Sequence, residues 1–198
     1  MLRNAIISVF PLICLGLNAC DARVIDSTHE KGQTVNIYQD QWTTLTSEPF
    51  SSESLNGSVT LVVNVASECG YTKQYRELQE LNDAFENFQV IGFPCNDFGG
   101  QEPCGADTIQ ACAASFDATF PLMAKVNITD EQTRSSLYQS MHEATGVLPE
   151  WNFGKYLINK EGMPVAFFGS TITPMSDEIT QRIDALLVHD APPQSNVE

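Results

Sequence analysis

Residues 59–66 read VTLVVNVA, and residues 67–70 read SECG. The first eight residues are mostly β-branched and almost wholly apolar, which predicts a strand buried on both faces of a sheet. Apolar residues at spacings of three, three, four and three then predict a helix within residues 72–88. A second short apolar run follows at residues 89–93. Strand, helix and strand in this order predict a βαβ unit with two parallel strands.

The rest of the chain supplies further elements for the same sheet. Strands are predicted within residues 35–48, as an N-terminal strand or hairpin, and at residues 156–159 and 165–168, as an antiparallel hairpin. Helices are predicted at residues 107–116 with Asp107 as N-cap, 132–144 ending at Gly146, and 176–188 with Ser176 as N-cap. These elements favour an α/β thioredoxin-like fold with a central mixed sheet flanked by helices.

The first twenty residues resemble an export signal. One arginine precedes an apolar run from Ala5 to Leu17, which is too short for a comfortable membrane span. The run ends in Leu-Asn-Ala-Cys at residues 17–20, which is similar to a bacterial lipobox. We therefore expect residues 1–20 to be a signal peptide and the protein to be exported to the periplasm. Lipidation of Cys20 would anchor it to a membrane as a lipoprotein, and the alternative is an ordinary cleaved signal.

Two further segments flank the predicted domain. Residues 21–34 are polar and unpatterned, which predicts a flexible tether. Residues 190–198 contain two adjacent prolines and predict a disordered tail. The folded domain is therefore expected over residues 35–189.

Charge and cysteine spacing argue against several functions. The chain has 198 residues, of which 25 are acidic and 10 are basic, and its formal net charge is −15. We therefore expect no binding of nucleic acid by the folded surface. The six cysteines form no Cys-x-x-Cys pair, and no cysteine–histidine cluster has the spacing of a zinc site. The sequence thus predicts neither a metal nor another cofactor.

Cys69 is the candidate reactive residue on position alone. It follows the buried strand and precedes a helix, at the edge of a parallel sheet where open α/β folds place their sites. A helix N-terminus favours the thiolate, which is the reactive form of cysteine. The alternative is a buried and inert cysteine, which is common.

Three blocks of sequence resemble the glutathione peroxidase family. They are NVASECG at residues 64–70, GFPCNDFGGQEP at residues 92–103, and WNFGKYL at residues 151–157. The blocks follow the family's order, and the similarity covers residues from about 35 to 189. The resemblance implies a peroxidase of the cysteine type, which reduces hydrogen peroxide and organic or lipid hydroperoxides through a sulfenic acid.

The resemblance also implies a catalytic set of four residues. Cys69 would attack the peroxide, with Gln101, Trp151 and Asn152 beside it. Two amides and an indole all donate hydrogen bonds, and such donors stabilise a thiolate or the charge that develops on the leaving oxygen. Without the resemblance, Trp151 would be interpreted as a core residue and Gln101 as a loop amide.

A second cysteine is implied by the thioredoxin-dependent branch of the family. Cys112 lies nine residues before Pro121, which matches the resolving position of that branch, and Cys104 is the alternative. The implied product is a Cys69–Cys112 disulfide, with local unwinding around Cys112 because the two sulfurs start far apart. The reductant would be a thioredoxin-like protein or glutathione. The short segment at residues 146–150 and the lack of a basic cluster favour a monomer and a protein reductant.

Other interpretations keep the fold and change the activity. A thiol–disulfide exchange protein normally has Cys-x-x-Cys, whereas Thr72 occupies the place of the second cysteine here. A peroxide sensor would form the disulfide and turn over slowly. Asp97 replaces a usual glutamine and adds negative charge near the site, whereas Cys95 is interpreted as a packing residue.

Overall fold

The computed structural model of the chain describes residues 22–24 and 35–188. The predicted signal peptide at residues 1–20, with Cys20, lies outside the described residues. The predicted tail at residues 190–198 also lies outside them, as does most of the predicted tether at residues 21–34.

The described residues form seven strands, four α-helices and two short 3-10 helices. The strands are β1 (Ala22–Val24), β2 (Trp42–Thr43), β3 (Pro49–Phe50), β4 (Val59–Val65), β5 (Phe88–Pro94), β6 (Lys155–Ile158) and β7 (Pro164–Phe168). The α-helices are α1 (Gln74–Ala84), α2 (Ala106–Ala114), α3 (Ser136–Thr145) and α4 (Asp177–Val188). The 3-10 helices are Ile37–Gln39 and Ser52–Leu55.

A five-stranded mixed sheet forms the centre of the fold. Its strand order is β1-β7-β6-β4-β5, and β4 and β5 are parallel whereas the other neighbours are antiparallel. Helix α1 connects β4 to β5, so the predicted βαβ unit and the predicted hairpin of β6 and β7 are both confirmed. Val65 pairs with Pro94, which brings the carboxyl ends of the two parallel strands to one edge of the sheet.

Helices cover both faces of the sheet, which explains why all seven residues of β4 are buried. Leu61 and Val63 belong to the same apolar cluster as residues of α1 and α4. Val62 points to the opposite face, where it shares a cluster with residues of α3 such as Tyr138. An apolar run without alternation was therefore a correct indicator of a strand buried on both sides.

The chain before residue 35 contributes to the sheet. Strand β1 pairs antiparallel with β7, with Ala22 opposite Phe168. These three residues fall in the predicted tether, and that prediction was wrong for them. A three-residue edge strand gains its hydrogen bonds from the neighbouring strand, so its own short sequence carries little signal.

Helix ends differ locally from the prediction. Asp107 lies inside the first turn of α2 rather than at its N-cap, because the Gly105 carbonyl already accepts bonds from the Thr108 and Ile109 amides. The Ser176 carbonyl accepts the amides that open α4, but its buried hydroxyl has no partner among the described residues. The predicted stop at Gly146 is confirmed, since this residue is left-handed with φ of 67°.

The predicted N-terminal hairpin also starts later than expected. Residues Ile37–Gln39 form a 3-10 helix, and the antiparallel pair is β2 with β3.

Over the residues that the structure describes, no helix is long and apolar enough to cross a membrane.

Gly162, in the turn between β6 and β7, should be intolerant of a side chain. Its φ is +80°, and a Cβ there would overlap Asn36 Oδ1 and lie 2.9 Å from Tyr38 Cδ2. Gly57 also has a left-handed φ, +86°, but a Cβ there meets nothing within 4 Å. We expect Gly57→Ala to lower the free energy of unfolding by about 1–2 kcal/mol through backbone strain alone. Gly162→Ala should lower it by at least about 1 kcal/mol more, because its side chain is also overpacked. Urea unfolding measures both, and equal losses would contradict the packing argument.

Candidate active site

Cys69 lies in the turn between β4 and α1, at the carboxyl edge of the sheet. The residue is 9% exposed. The backbone N–H of Tyr71 donates a hydrogen bond to Cys69 Sγ at 3.4 Å. Helix α1 begins only at Gln74, so the turn supplies this donor rather than the helix itself. A fixed N–H provides a partner for negative charge that develops on the sulfur.

Thr72 holds this turn in place. Its Oγ1 accepts a hydrogen bond from the Cys69 N–H at 3.0 Å and lies 2.8 Å from the carbonyl oxygens of Ala66 and Cys69. Thr72 is buried, so water cannot replace these bonds. The place of the second cysteine in a Cys-x-x-Cys motif is therefore filled by a residue that fixes the backbone of the reactive loop.

The structure brings Gln101 and Asn152 together. Asn152 Nδ2 donates to Gln101 Oε1 at 3.0 Å and to the Phe98 carbonyl at 3.2 Å, so both of its N–H groups are used. The Gln101 oxygen is occupied, which leaves its own NH₂ group as a donor without a partner among the described residues. The Glu68 N–H donates to the Gln101 carbonyl at 2.9 Å and ties this loop to the one before Cys69. Asn152 therefore orients the Gln101 amide.

Trp151 lies at the surface of the site. It is 40% exposed, and its ring centroid lies 6.3 Å from that of Phe98. Gly99, with φ of +69°, leaves room for the indole, because a Cβ there would lie 3.0 Å from Trp151 Cη2. This exposure fits a site residue better than the alternative of a core tryptophan. Within the described part of the chain, no hydrogen bond joins Cys69 Sγ to the side chains of Gln101, Trp151 or Asn152.

Asn64 is a residue of the site that sequence reasoning missed. It is fully buried in β4, and its Nδ2 donates to the Trp151 carbonyl at 3.0 Å. Its own carbonyl accepts the Phe153 N–H at 2.6 Å. Phe153 has a left-handed φ of 65°, which is rare for a bulky residue and turns the chain from the Trp-Asn pair into β6. The available signal was one polar residue inside an apolar run.

A cavity of about 210 Å³ opens beside Trp151. Most of its side-chain lining is apolar or aromatic, with contributions from Tyr71, Val147, Leu148, Trp151 and Phe167. The same Tyr71 donates its N–H to Cys69 Sγ, so the cavity adjoins the reactive loop. Among the described residues, Glu150 is the only charged one in the lining, so the cavity favours uncharged groups.

Cys112 lies close to the loop that carries Cys69. Its Sγ is 3.9 Å from the Ser67 carbonyl oxygen, to which the thiol donates. Cys69, Cys95, Cys104 and Cys112 are all free thiols in the structure. Burial raises the pKa of the Cys95 thiol to about 12, so this cysteine stays protonated and has the packing role predicted for it.

Two acidic residues of the GFPCNDFGGQEP block have different surroundings. Asp97 Oδ2 accepts the N–H groups of Ile128 and Thr129 at 2.6 and 2.9 Å, so its charge is bound to that neighbouring segment. Glu102 is fully buried and accepts a hydrogen bond from the Ser67 hydroxyl. Burial raises the pKa of the Glu102 carboxyl, and no local sequence pattern singles this residue out. No group of residues in the described part of the chain could hold a metal ion.

The sequence profile of the glutathione peroxidase family matches residues 37–142, which is more than half of the 198-residue chain. The chain belongs to the glutathione peroxidase family. It is 41% identical over 144 residues to glutathione peroxidase-like peroxiredoxin GPX5 of Chlamydomonas reinhardtii, covering 68% of this chain and 86% of the relative. It is 38% identical over 147 residues to glutathione peroxidase-like peroxiredoxin 2 of Saccharomyces cerevisiae, covering 71% and 90%.

Other relatives and solved structures agree with this assignment. A hydroperoxy fatty acid reductase of Synechocystis is 37% identical over 164 residues, covering 76% of this chain and 95% of the relative. The crystal structure of T. cruzi GPX1 has a TM-score of 0.60 at 30% identity, covering 77% of this chain and 97% of that one. A secreted Mycobacterium tuberculosis disulfide oxidoreductase, with a TM-score of 0.55 at 18% identity over 76% of this chain and 98% of that one, shares the thioredoxin-like fold alone. The predicted family, fold and peroxidase activity are confirmed.

Thr72 should be essential for the geometry of the peroxidase loop. Replacement of Thr72 by valine keeps the shape and removes the hydroxyl, which leaves the buried Cys69 N–H unpaired and should cost about 1–3 kcal/mol. Thr72→Ser keeps the hydroxyl, so its free energy of unfolding should fall by less than about 1 kcal/mol and its activity should stay close to that of the wild type. Urea unfolding and the rate constant with hydrogen peroxide test both variants. A valine variant as stable and as active as the serine variant would refute this role.

Proposed function

We propose that this glutathione peroxidase family member works through a sulfenic acid on Cys69 and a Cys69–Cys112 disulfide, which a thioredoxin-like protein reduces. The single observation that carries the proposal is the contact of Cys112 Sγ with the Ser67 carbonyl at 3.9 Å. Ser67 is two residues from Cys69, and consecutive Cα atoms are about 3.8 Å apart, so the two cysteines occupy one neighbourhood. We keep Cys104 as the alternative resolving residue.

In the first step, the Cys69 thiolate attacks the terminal peroxide oxygen. The S–O bond forms, the O–O bond breaks, and the departing oxygen leaves as water or an alcohol after taking up a proton. The Tyr71 N–H lies at the sulfur. The unpaired NH₂ of Gln101 and the exposed indole of Trp151 are the donors available to the departing oxygen. Asn152 contributes by orienting Gln101.

In the second step, Cys112 attacks the oxidised Cys69 sulfur. The S–S bond forms, the S–O bond breaks, and hydroxide leaves as water with the proton of the Cys112 thiol. Only Ile109 and Ala113 of the nine-residue helix α2 are buried, which supports the prediction that this helix unwinds locally. A disulfide needs Cα atoms about 4.4–6.8 Å apart, so α2 and the Cys69 loop must come into that range.

The charge of the cavity favours a protein reductant over glutathione. Glu150 is the one charged residue that the described part of the chain contributes to the lining, so a carboxylate of glutathione would be repelled there rather than meet a cationic partner. The apolar walls suit the alkyl part of an organic or lipid hydroperoxide. That idea is supported by the Synechocystis relative, which is named as a hydroperoxy fatty acid reductase.

We further propose that the protein is exported to the periplasm as a monomer. Export is supported by the sequence of residues 1–20, with its apolar run and its lipobox-like end at Cys20, and a monomer by the short segment at residues 146–150. Lipidation of Cys20 would hold the peroxidase at a membrane, close to lipid hydroperoxides.

Cysteine variants separate the two chemical steps. We expect Cys69→Ser to abolish peroxidase activity and Cys112→Ser to complete one fast turnover and then stall at the sulfenic acid. Rapid mixing with hydrogen peroxide, followed by mass spectrometry with a sulfenic acid trap, measures both outcomes. The matched control is Cys104→Ser, which should sustain turnover with a thioredoxin system. Sustained turnover by Cys112→Ser would contradict the proposal that Cys112 resolves the sulfenic acid.

The mass of the mature protein tests export and lipidation. Expressed as the full chain in a Gram-negative bacterium, the protein should begin at Cys20 and carry acyl chains, and Cys20→Ser should lack them. Intact mass and membrane fractionation are the measurements. A mature chain that begins elsewhere and carries no lipid would contradict the lipoprotein proposal while leaving the peroxidase chemistry untouched.

A further inference from the structure

The short strand β1 fixes where the N-terminal part of the chain leaves the sheet. Ala22, its first residue, pairs with Phe168 of β7, which pairs in turn with Lys155 of β6. Lys155 pairs with Val63 of β4, so these four residues form one row across the sheet. Because neighbouring strands lie about 4.8 Å apart, Ala22 is about 14 Å from Val63 along this row.

This row lies at the carboxyl edge of the sheet, where the active site is. Strand β4 ends at this edge with Val65, just before the loop that carries Cys69. Strand β6 begins there at Lys155, and β7 ends there at Phe168. Because β1 is antiparallel to β7, it begins there at Ala22. The chain that precedes Ala22 therefore leaves the sheet on the side of the active site.

The cavity beside Trp151 adjoins the same strand ends. Gly154 and Gly169 both line it, and they are the chain neighbours of the first residue of β6 and the last residue of β7. Strand β7 is the strand to which β1 is paired. The wall of the cavity therefore continues directly into the part of the sheet from which the N-terminal chain departs.

The connection between Cys20 and this edge is short. Asp21 alone separates Cys20 from Ala22 in the sequence. Consecutive Cα atoms are about 3.8 Å apart, so two steps of the chain reach at most about 8 Å. A flexible tether over residues 21–34 would instead have a root-mean-square length of about 20 Å. The pairing of β1 with β7 therefore places any lipid on Cys20 next to the carboxyl edge.

Exposed apolar side chains lie at the same edge. Among the described residues, the exposed large apolar side chains are Trp151, Met175 and Val188. Trp151 precedes β6, and Met175 lies in the segment that joins β7 to α4. Lys160 Nζ, in the turn at the opposite edge, donates to the Leu187 carbonyl at 3.2 Å, so α4 ends at that edge and begins at the carboxyl edge. Tryptophan in particular favours the interface between a membrane and water.

Charge does not hold the folded domain on a membrane. The formal net charge of the chain is −15, and Glu68 and Glu150 are exposed at the carboxyl edge. Anionic headgroups repel such a surface. Membrane contact therefore has to come from acyl chains, which contribute about 0.8 kcal/mol for each buried CH₂ group. The orientation of the domain is then set by the place at which the acylated residue joins the fold.

We propose that acylation of Cys20 and the pairing of β1 with β7 together hold the carboxyl edge of the sheet against a lipid bilayer, an inference that rests on the proposed function. The surface that meets the bilayer includes Trp151, Met175 and the mouth of the cavity. In this orientation, a hydroperoxide on the acyl chain of a membrane phospholipid reaches Cys69 from the bilayer surface. The chemical steps stay those of the proposed function, with the phospholipid alcohol as the product.

Fluorescence of two reporter variants tests the orientation. Trp42→Phe leaves Trp151 as the one tryptophan of the chain, at the carboxyl edge. The matched variant carries Trp42→Phe, Trp151→Phe and Glu86→Trp, and its reporter lies in an exposed position just before β5, at the opposite edge. Both are prepared as acylated mature chains on phosphatidylcholine vesicles that contain a lipid with a nitroxide on its headgroup. The nitroxide quenches tryptophan fluorescence at short range.

We expect strong quenching of Trp151 and little quenching of the opposite reporter. The seven residues of β4 separate the two edges by about 20 Å. The emission of Trp151 should therefore fall by at least about half, whereas that of the tryptophan at position 86 should stay nearly constant. Equal quenching of the two reporters, or stronger quenching at position 86, would overturn the inference and leave the peroxidase chemistry intact.

A spacer variant tests whether the short connection causes the orientation. A Gly-Ser spacer of about 20 residues between Asp21 and Ala22 has a root-mean-square length of about 25 Å, so the domain can turn freely. The difference between the two reporters should then disappear. Turnover of phosphatidylcholine hydroperoxide in the same vesicles should fall about tenfold, because the effective concentration of the site at the membrane falls. Turnover of hydrogen peroxide should not change.

The remaining outcomes separate this inference from the proposals on which it rests. A spacer variant with unchanged quenching and unchanged turnover of the phospholipid hydroperoxide would overturn the role of β1. An intact mass without acyl chains on Cys20 would overturn both the lipoprotein proposal and this inference. An acylated protein with the expected quenching that fails to turn over hydrogen peroxide would support the orientation and overturn the proposed chemistry.

Discussion

The site depends on one buried amide, that of Asn64 in the central strand β4. An unpaired polar group in an apolar interior costs about 1–3 kcal/mol. The Asn64 Nδ2 avoids this cost by donating to the Trp151 carbonyl, and the backbone of Asn64 binds Phe153 and Gly154, whereas its buried Oδ1 has no partner among the described residues. The strand that leads to Cys69 therefore also fixes the segment that carries Trp151 and Asn152.

From that anchor, the hydrogen-bond donors of the site divide their tasks. Asn152 donates its two side-chain N–H groups to the Phe98 carbonyl and to Gln101 Oε1, so it sets the orientation of the Gln101 amide. Among the described residues, the side-chain N–H groups of Gln101 and Trp151 have no hydrogen-bond partner, and in the proposed mechanism they face the departing oxygen. The Tyr71 amide, which no side-chain motif encodes, lies at the sulfur itself. In the proposed mechanism, the transition state is stabilised by preorganised neutral donors.

The sequence predicted correctly those elements whose formation is driven by hydrophobic burial. It failed for features that are set by a hydrogen bond. The apolar run of β4 and the helical spacing of apolar residues in α1 predicted buried elements, because buried positions require apolar side chains in a recognisable pattern. The N-cap assigned to Asp107 was wrong, since the Gly105 carbonyl accepts the first helical bonds. The tether prediction failed at Ala22–Val24 because an edge strand is paired by its neighbour. Glu102 carried no local signal, since its burial depends on Ser67 and the elements packed around it.

By itself, the sequence determined the fold class and the family, because the first follows from hydrophobic patterns and the second from motifs in a fixed order along the chain, and it predicted Cys69 as the reactive cysteine. Only the tertiary structure decided which groups meet: Asn152 with Gln101, Thr72 with the Cys69 amide, and Cys112 with the Ser67 carbonyl. Two of these pairs join residues more than 40 positions apart. Such contacts are set by how the sheet and the helices pack together, and local sequence cannot record them.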